Sequence, residues 1–259
     1  MNFFSKNYGK LAILVPAMAL SFSSCSGNGG SSGESGDSSS SAAVGNGSSS
    51  SFEEAVGCSG DEDSSETEYC SNGTKKTYGS VTHEGQDYKT IAIGARTWMA
   101  ENMDYEAIGS VCYDNNTANC AKYGKLYDWA TAMALPSKCN SVLSESDIDC
   151  AIETPHQGIC PDEWHIPNNT DWGPALSWIK CSFSSSGYSC SDIYGFNALL
   201  GGSGSKSDFS GEGNFGNWWS ATEETADYAH FFFVESNSSP PLLYADGKSF
   251  LLSVRCIKD

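Results

Sequence analysis

Ten cysteines fall between Cys58 and Cys256, and they limit what this chain can fold into more than any other feature. The sequence holds eleven in 259 residues, and Cys25 stands apart from the rest. Ten is an even number, and in an oxidising compartment cysteines so arranged close into disulfides. Five bridges are therefore expected, among Cys58, Cys70, Cys112, Cys120, Cys139, Cys150, Cys160, Cys181, Cys190 and Cys256. The sequence alone leaves their pairing open. A ring closed by Cys58–Cys70 would brace the acidic, serine-rich stretch GDEDSSETEYCSNG, since a short loop of this kind removes roughly 2–3 kcal/mol of unfolded-state entropy.

The N terminus supplies the compartment. A basic start with Lys6 and Lys10, the apolar run LAILVPAMAL and the small residues of SFSSC describe an export signal, too short to span a bilayer as a mature helix. Phe22 to Cys25 resembles a bacterial lipobox with Phe22 at its first position. The resemblance implies that Cys25 is acylated and becomes the first residue of the mature protein; ordinary secretion with cleavage near Ser24 is the alternative. Ser26 to Ser51 contains 12 serines and 7 glycines in 26 residues, too little apolar surface to fold and suited to a flexible tether. The expected organisation is a lipoprotein signal peptide over 1–24, a disordered tether over 25–56, an acidic accessory hairpin or loop over 57–80, and one domain over 81–259.

Charge excludes one class of partner. With Lys6 and Lys10 removed, twelve of the fourteen basic residues face 32 acidic ones, a net −20. No basic cluster exceeds Lys75–Lys76, so phosphate neutralisation has no footprint and nucleic acid is not an expected partner. The same charge opposes an anionic lipid face, so the membrane is expected as a partner only through acyl chains on Cys25.

Residue patterns suggest an α+β domain. DYKTIAIGARTWMAEN reads as two short strands turning near Gly94–Ala95. In GKLYDWATAMAL, Leu126, Trp129, Ala130 and Met133 fall on one helical face. A second helix is expected after Pro167, capped by Asn169 or Thr170, with Asp171 in its first turn, Trp172, Leu176 and Ile179 along one side, and Pro174 confined to that turn. YAHFFFVES and SFLLSVRCIKD read as strands, with Phe231 and Phe233 on one face of the former and Phe250, Leu252, Val254 and Cys256 on one face of the latter. GGSGSKSDFSGEGNFGN between them reads as a long loop with tight turns. No strand-to-helix glycine motif supports a nucleotide site.

Two stretches carry candidate chemistry. GICPDEWHIP places Cys160, Glu163 and His165 close together, with His156 just before. A zinc site would need three or four converging ligands, and a metal-bound Cys160 would leave an odd cysteine, so a structural role is expected and no metal or catalytic residue is assigned. Asp208, Glu212, Asn214 and Asn217 offer hard oxygens, but their spacing does not match an EF-hand loop. In GNWWSATEE, strand alternation sends Trp218 and Trp219 to opposite faces, so that one enters the core while the other faces loops or solvent. With Asn217 and Glu223 beside them, these residues have the composition of a sugar-binding surface, where a flat ring stacks on a sugar and polar groups answer its hydroxyls.

The ordered pieces TIAIGARTWMAENM, YGKLYDWATAM, GICPDEWHIPNNTDW, GFNALLGG, GNWWSATE and SVRCIKD resemble the Fibrobacter succinogenes major paralogous domain, a family of exported bacterial proteins, over about Tyr88 to Asp259. WHIP before an Asp-Trp helix start and VRC near the end also resemble the formylglycine-generating-enzyme and C-type-lectin-like superfold. The resemblance implies a single disulfide-braced α+β domain in which Cys160 pairs with Cys256, and proximity suggests Cys112–Cys120, Cys139–Cys150 and Cys181–Cys190. It carries no catalytic residue or cofactor onto this chain. The expected function is a non-catalytic lipoprotein of the outer membrane or cell surface that binds a polysaccharide or mediates adhesion. The alternatives are an extracellular oxidase or hydrolase using His165 or His230 with a nearby carboxylate, and a structural component that binds an envelope protein.

Overall fold

The computed structural model describes residues 67–71, 73–184, 187–192, 195–205, 207–236 and 239–259, with the backbone alone for 179–184, 187–192 and residue 239. The expected signal peptide, Cys25, the expected tether and Cys58 lie outside the described residues. The described part belongs to one compact unit, Val56–Asp259.

Two five-stranded sheets form the frame. The first has the order β3 (Gly79–His83), β4 (Gln86–Ile93), β5 (Arg96–Met99), β14 (Ile257–Lys258) and β6 (Trp164–His165). Its β4–β5 hairpin turns through Gly94, whose φ of 62° suits a residue without a Cβ, and Ala95, and pairs Ile93 with Arg96. The second has the order β10 (Phe209–Glu212), β9 (Gly201–Gly204), β11 (Phe215–Glu223), β12 (Tyr228–Glu235) and β13 (Ser239–Gly247). Pro240 and Pro241 open β13 at the sheet edge, where missing N–H donors leave the ladder intact. Much of the glycine-rich stretch is thus strand, since β9 and β10 pair within it and β11 begins at Phe215.

The hairpin of β1 (Glu68–Ser71) and β2 (Thr74–Thr77) is packed onto this frame. Tyr69 is buried among Ile91, Trp98 and Phe196, and its hydroxyl accepts from the Ala92 N–H at 3.1 Å. Strands β7 (Ile179–Ser184) and β8 (Gly187–Asp192) form a further hairpin that places Cys181 opposite Cys190. Neither the Cys58–Cys70 nor the Cys181–Cys190 bridge falls within the described side chains.

Strands β11 and β12 are covered on both faces. Trp219, Ala229 and Phe231 face one cluster with Met99, Tyr127 and Trp129, while Trp218, Phe232 and Val234 face another with Trp98, Trp172 and Phe196. Trp218 and Trp219 are both fully buried, which corrects the expectation that one of them faces loops or solvent. A local alternation pattern carries no information about the second layer that covers the outer face.

The helices are shorter than their apolar spacing suggests. Leu126, Trp129, Ala130 and Met133 are all buried, yet α2 covers only Trp129–Ala132. Leu126 and Tyr127 instead bridge in strand fashion to Val111 and Leu252. The cap of α3 (Asn169–Trp172) is Asn168, whose Oδ1 accepts from the N–H groups of Thr170 and Asp171, while Asp171 Oδ2 accepts from the Asn168 N–H. This is a capping box one residue earlier than expected. Beyond it Gly173–Ser177 winds as a 3-10 helix with Pro174 in its first turn. The tighter period of three turns Trp172, Ala175 and Trp178 inward and leaves Leu176 37 % exposed, contrary to the expected 3.6-residue face.

The chain end is stitched through the middle of the frame. Leu251 bridges Gly204, Leu252 bridges Tyr127, and Ser253 bridges Trp218, after which Ile257 lies between Trp98 of β5 and His165 of β6. Leu252, Val254 and Cys256 enter one cluster with Phe250 against it, as alternation requires, and the other side is buried too. Three disulfides brace the described residues, namely Cys112–Cys120, Cys139–Cys150 and Cys160–Cys256.

Candidate functional site

The residues of GICPDEWHIP are placed to hold the fold. Gly158 has φ 55°, and a Cβ there would lie 2.4 Å from the Ala132 carbonyl oxygen, so the close packing of this segment against α2 requires glycine. Cys160 is bonded to Cys256. His156 Nε2 lies 2.9 Å from the Met133 carbonyl oxygen, and its Nδ1 accepts from the Glu153 N–H at 3.3 Å. His156, Cys160 and His165 each have a separate partner, and among the described residues no group of three or more His, Cys, Asp and Glu side chains is arranged to hold a metal.

His165 clasps three segments. Its Nδ1 lies 2.5 Å from Asp259 Oδ1 and its Nε2 lies 3.3 Å from Asp171 Oδ2, with Arg96 3.6 Å from the other Asp171 oxygen. Burial pulls the imidazolium down, but the hydrogen bonds of Asp171 and Asp259 outweigh it and hold the His165 pKa above its ordinary value. Burial likewise raises the Asp171 carboxyl, and the bonds from His165 and the Asn168 N–H outweigh it, so that its pKa is lowered. His230 has a similar partner, Glu224, at 2.7 Å. Both histidine–carboxylate pairs that could carry acid-base chemistry therefore form, but neither histidine lines the concave region described below.

The residues expected to meet a sugar are largely inside. Trp218 Nε1 donates to Asn102 Oδ1 at 2.8 Å, and Trp219 Nε1 donates to the Tyr127 carbonyl at 2.8 Å. Asn217 is 4 % exposed and donates to the Gly202 carbonyl. All seven tryptophans of the chain are at most 5 % exposed, so in this conformation none offers a ring face to a ligand. Glu223 alone of the four reaches a concave surface, and there it is held by Lys248 Nζ at 2.6 Å. Lys248, fully buried, also donates to the carbonyls of Cys139 and Val142 and lies 4.3 Å from the centre of the Trp129 ring.

That concave surface is a groove of about 440 Å³, within the range of roughly 300–1,000 Å³ typical of small-molecule sites. One wall is the loop around Ile152 to His156, another is the start of α3, and the third is the end of β11. The walls are tied together. The Ala221 N–H donates to the Pro167 carbonyl, the Asn169 N–H to Thr222 Oγ1, and the Ser220 hydroxyl to Asn169 Oδ1. The Ser144 N–H donates to Glu223, and the Ile166 N–H to the His156 carbonyl. A groove so pinned is already shaped before a ligand arrives.

Its rim holds unused donors. The Nδ2 amides of Asn168 and Asn169 and the Thr170 hydroxyl make no hydrogen bond among the described residues, while Ile152, Pro155 and Ala221 supply apolar surface. Sequence reasoning missed this groove, because its walls come from three separated segments and NNTD reads locally only as a helix start.

Residues 91–179 match the family of the Fibrobacter succinogenes major domain. Over this segment the chain is similar to that family. The Fibrobacter succinogenes major domain match covers about a third of the chain, and it includes the end of β4, all of β5, α2, Cys160, His165 and α3 but ends before β9 to β13. The resemblance drawn from sequence pieces reached further, to the final SVRCIKD. Two walls of the groove lie inside the matched segment and the third, at Ala221 to Glu223, lies beyond it. No curated protein and no solved structure matches the chain.

Proposed function

We propose that this chain is a non-catalytic lipoprotein of the bacterial envelope, anchored through acylated Cys25 and presenting its folded domain on a tether to bind extracellular glycans. The observation that carries the binding role is the pinned groove with unspent amide and hydroxyl donors above apolar surface, the arrangement that answers the hydroxyls and carbon faces of a sugar. The export signal, the serine- and glycine-rich tether and the acidic, soluble surface support the address. The domain would then be a C-type-lectin-like scaffold used for adhesion, and that likeness rests on the WHIP and VRC pieces. His165 and His230 act in this reading as clasps with Asp171, Asp259 and Glu224.

Two measurements test it. Full-length protein solubilised in detergent should be retained on at least one plant or bacterial polysaccharide; retention on none defeats the glycan role. Metabolic labelling with a palmitate analogue should mark the wild-type protein and not Cys25→Ser, and protease treatment of intact cells should remove the domain if it faces outward. A labelled Cys25→Ser protein would refute the anchor.

A further inference from the structure

The groove is bordered by acidic side chains whose charges are handled very differently. Glu223 is met by buried Lys248 and by the Ser144 N–H. Asp171, behind the start of α3, is met by His165, Arg96 and the Asn168 N–H. Glu153 stands exposed on the rim and forms no ion pair among the described residues. No Lys or Arg lines the groove, and Lys248 is spent on Glu223 and two carbonyls.

An anionic ligand would need N–H groups or cations aimed at it. The backbone N–H groups of Asn168, Asn169, Thr170 and Asp171 are each consumed, by Asp171, by Thr222 and twice by the Asn168 side chain. The side-chain donors that remain for a ligand are neutral, namely the amide Nδ2 groups of Asn168 and Asn169 and the hydroxyls of Ser144, Thr154, Thr170 and Thr222, with Glu153 as an acceptor at the edge. Amides and hydroxyls of this kind bond alcohol oxygens without a charge to balance. A carboxylate entering the same space would be desolvated beside Glu153 with no Lys or Arg in the lining to meet it, on a chain whose formal net charge is −18. The groove also has no Trp, Tyr or Phe in its lining, so selectivity here must come from hydroxyl geometry more than from ring stacking.

We propose that the groove selects uncharged sugar polymers, glucans, xylans or mannans without uronic acid residues, through the Asn168 and Asn169 amides and the Thr170 hydroxyl. This rests on the glycan-binding reading and specifies its ligand class and residues. Two substitutions remove donors while preserving the fold. Asn168→Asp keeps the oxygen that caps α3, and Thr170→Val alters only an exposed hydroxyl.

Binding of full-length protein to uncharged oligosaccharides and to oligogalacturonate is measured by calorimetry for wild type and both variants, with thermal unfolding midpoints recorded alongside. The expected result is binding of at least one uncharged oligosaccharide, none of oligogalacturonate, and a weakening of roughly fivefold in each variant at a nearly unchanged midpoint, the scale of one lost hydrogen bond. Oligogalacturonate that binds and is weakened by these variants would overturn the inference while leaving the glycan reading standing. Uncharged oligosaccharide binding that neither variant changes would also overturn it, since the ligand would then sit elsewhere. Absence of binding to every glycan would sink both.

Discussion

His165 and Lys248 show two ways in which a buried charge is made tolerable here. His165 is held from both ring nitrogens, and because its folded pKa lies above the ordinary 6.5, its clasp contributes stability that is fully present below pH 6.5 and is lost as pH rises through the folded value. Asp171 has the opposite sign. Its lowered pKa contributes stability present above its ordinary 3.8 and lost as pH falls through the folded value. The clasp is therefore strongest in mildly acid solution. Urea unfolding of wild type should show falling stability from about pH 6 to pH 8 that is shallower in His165→Gln, whose amide does not titrate; identical slopes would show that folding does not raise the His165 pKa. Lys248 is fully buried and Glu223 is 11 % exposed. Removing one partner alone strands the other charge, so Lys248→Met should cost about 3–5 kcal/mol, and Lys248→Met combined with Glu223→Met should recover much of that loss. Equal losses in the single and double variants, measured by urea unfolding, would contradict the pairing. Glu223 also carries the Ser144 N–H, so the same pair fixes the groove wall from behind.

At the scale of elements, β11 links the core to the groove. Its middle places Trp218 and Trp219 in two different clusters, and its end supplies Ala221, Thr222 and Glu223 to the concave surface. Trp218→Ala and Trp219→Ala should each destabilise by about 3–5 kcal/mol. Added ligand should leave the tryptophan emission and its acrylamide quenching nearly unchanged, because all seven rings are covered. A strong ligand-induced change in either would place a tryptophan in the site. The opposite orientations of Trp218 and Trp219 were legible in their adjacency, as was the shared face of Leu252, Val254 and Cys256. The covering of both faces of β11 was not, since it depends on Trp172 and Phe232 on one side and Trp129 and Phe231 on the other. Apolar spacing likewise identified Leu126, Trp129, Ala130 and Met133 as buried, but not the single turn of α2, because Leu126 is buried through a bridge to Val111 and not as part of a helix. Leu176 was misplaced because Gly173 and Pro174 tighten the winding to a period of three, which brings Ala175 and Trp178 inward instead. The groove was the least legible part. Asn168 to Thr170 announce a helix start in sequence, and only the hydrogen bonds to β11 show which donors the cap leaves unused.

Across the whole molecule the decisive connection is the return of the chain end to the middle. Cys160 and Cys256 are 96 residues apart, and their bridge joins the segment that ends in β6 to the segment that enters β14. Around it the backbone adds further ties, with Met103 N–H donating to the Val254 carbonyl and Met99 N–H to the Cys256 carbonyl. The Cys112–Cys120 bridge, by contrast, closes a separation of 8 within one local loop and α1 (Thr117–Tyr123). In the chain-entropy account, a loop near 100 residues is worth about 4.7 kcal/mol and one of 15 residues about 3, so the two bridges should differ in the same direction. The paired variant Cys160→Ala with Cys256→Ala should therefore lower the urea midpoint further than Cys112→Ala with Cys120→Ala. The long bridge should also matter more for shape, since without it β14 is retained between β5 and β6 by non-covalent ties alone, namely its short ladder, the Asp259 N–H on the Glu163 carbonyl, the Lys258–Glu163 ion pair and the His165–Asp259 contact. Hydrogen exchange can separate these effects: in the Cys160/Cys256 variant, protection should fall first at Ile257 and Lys258 and in β6, while β11 and β12 keep theirs. Uniform loss across all strands would mean that the chain end is part of one cooperative core and not a separately fastened clasp, and an equal midpoint shift for the two paired variants would remove the loop-length argument itself.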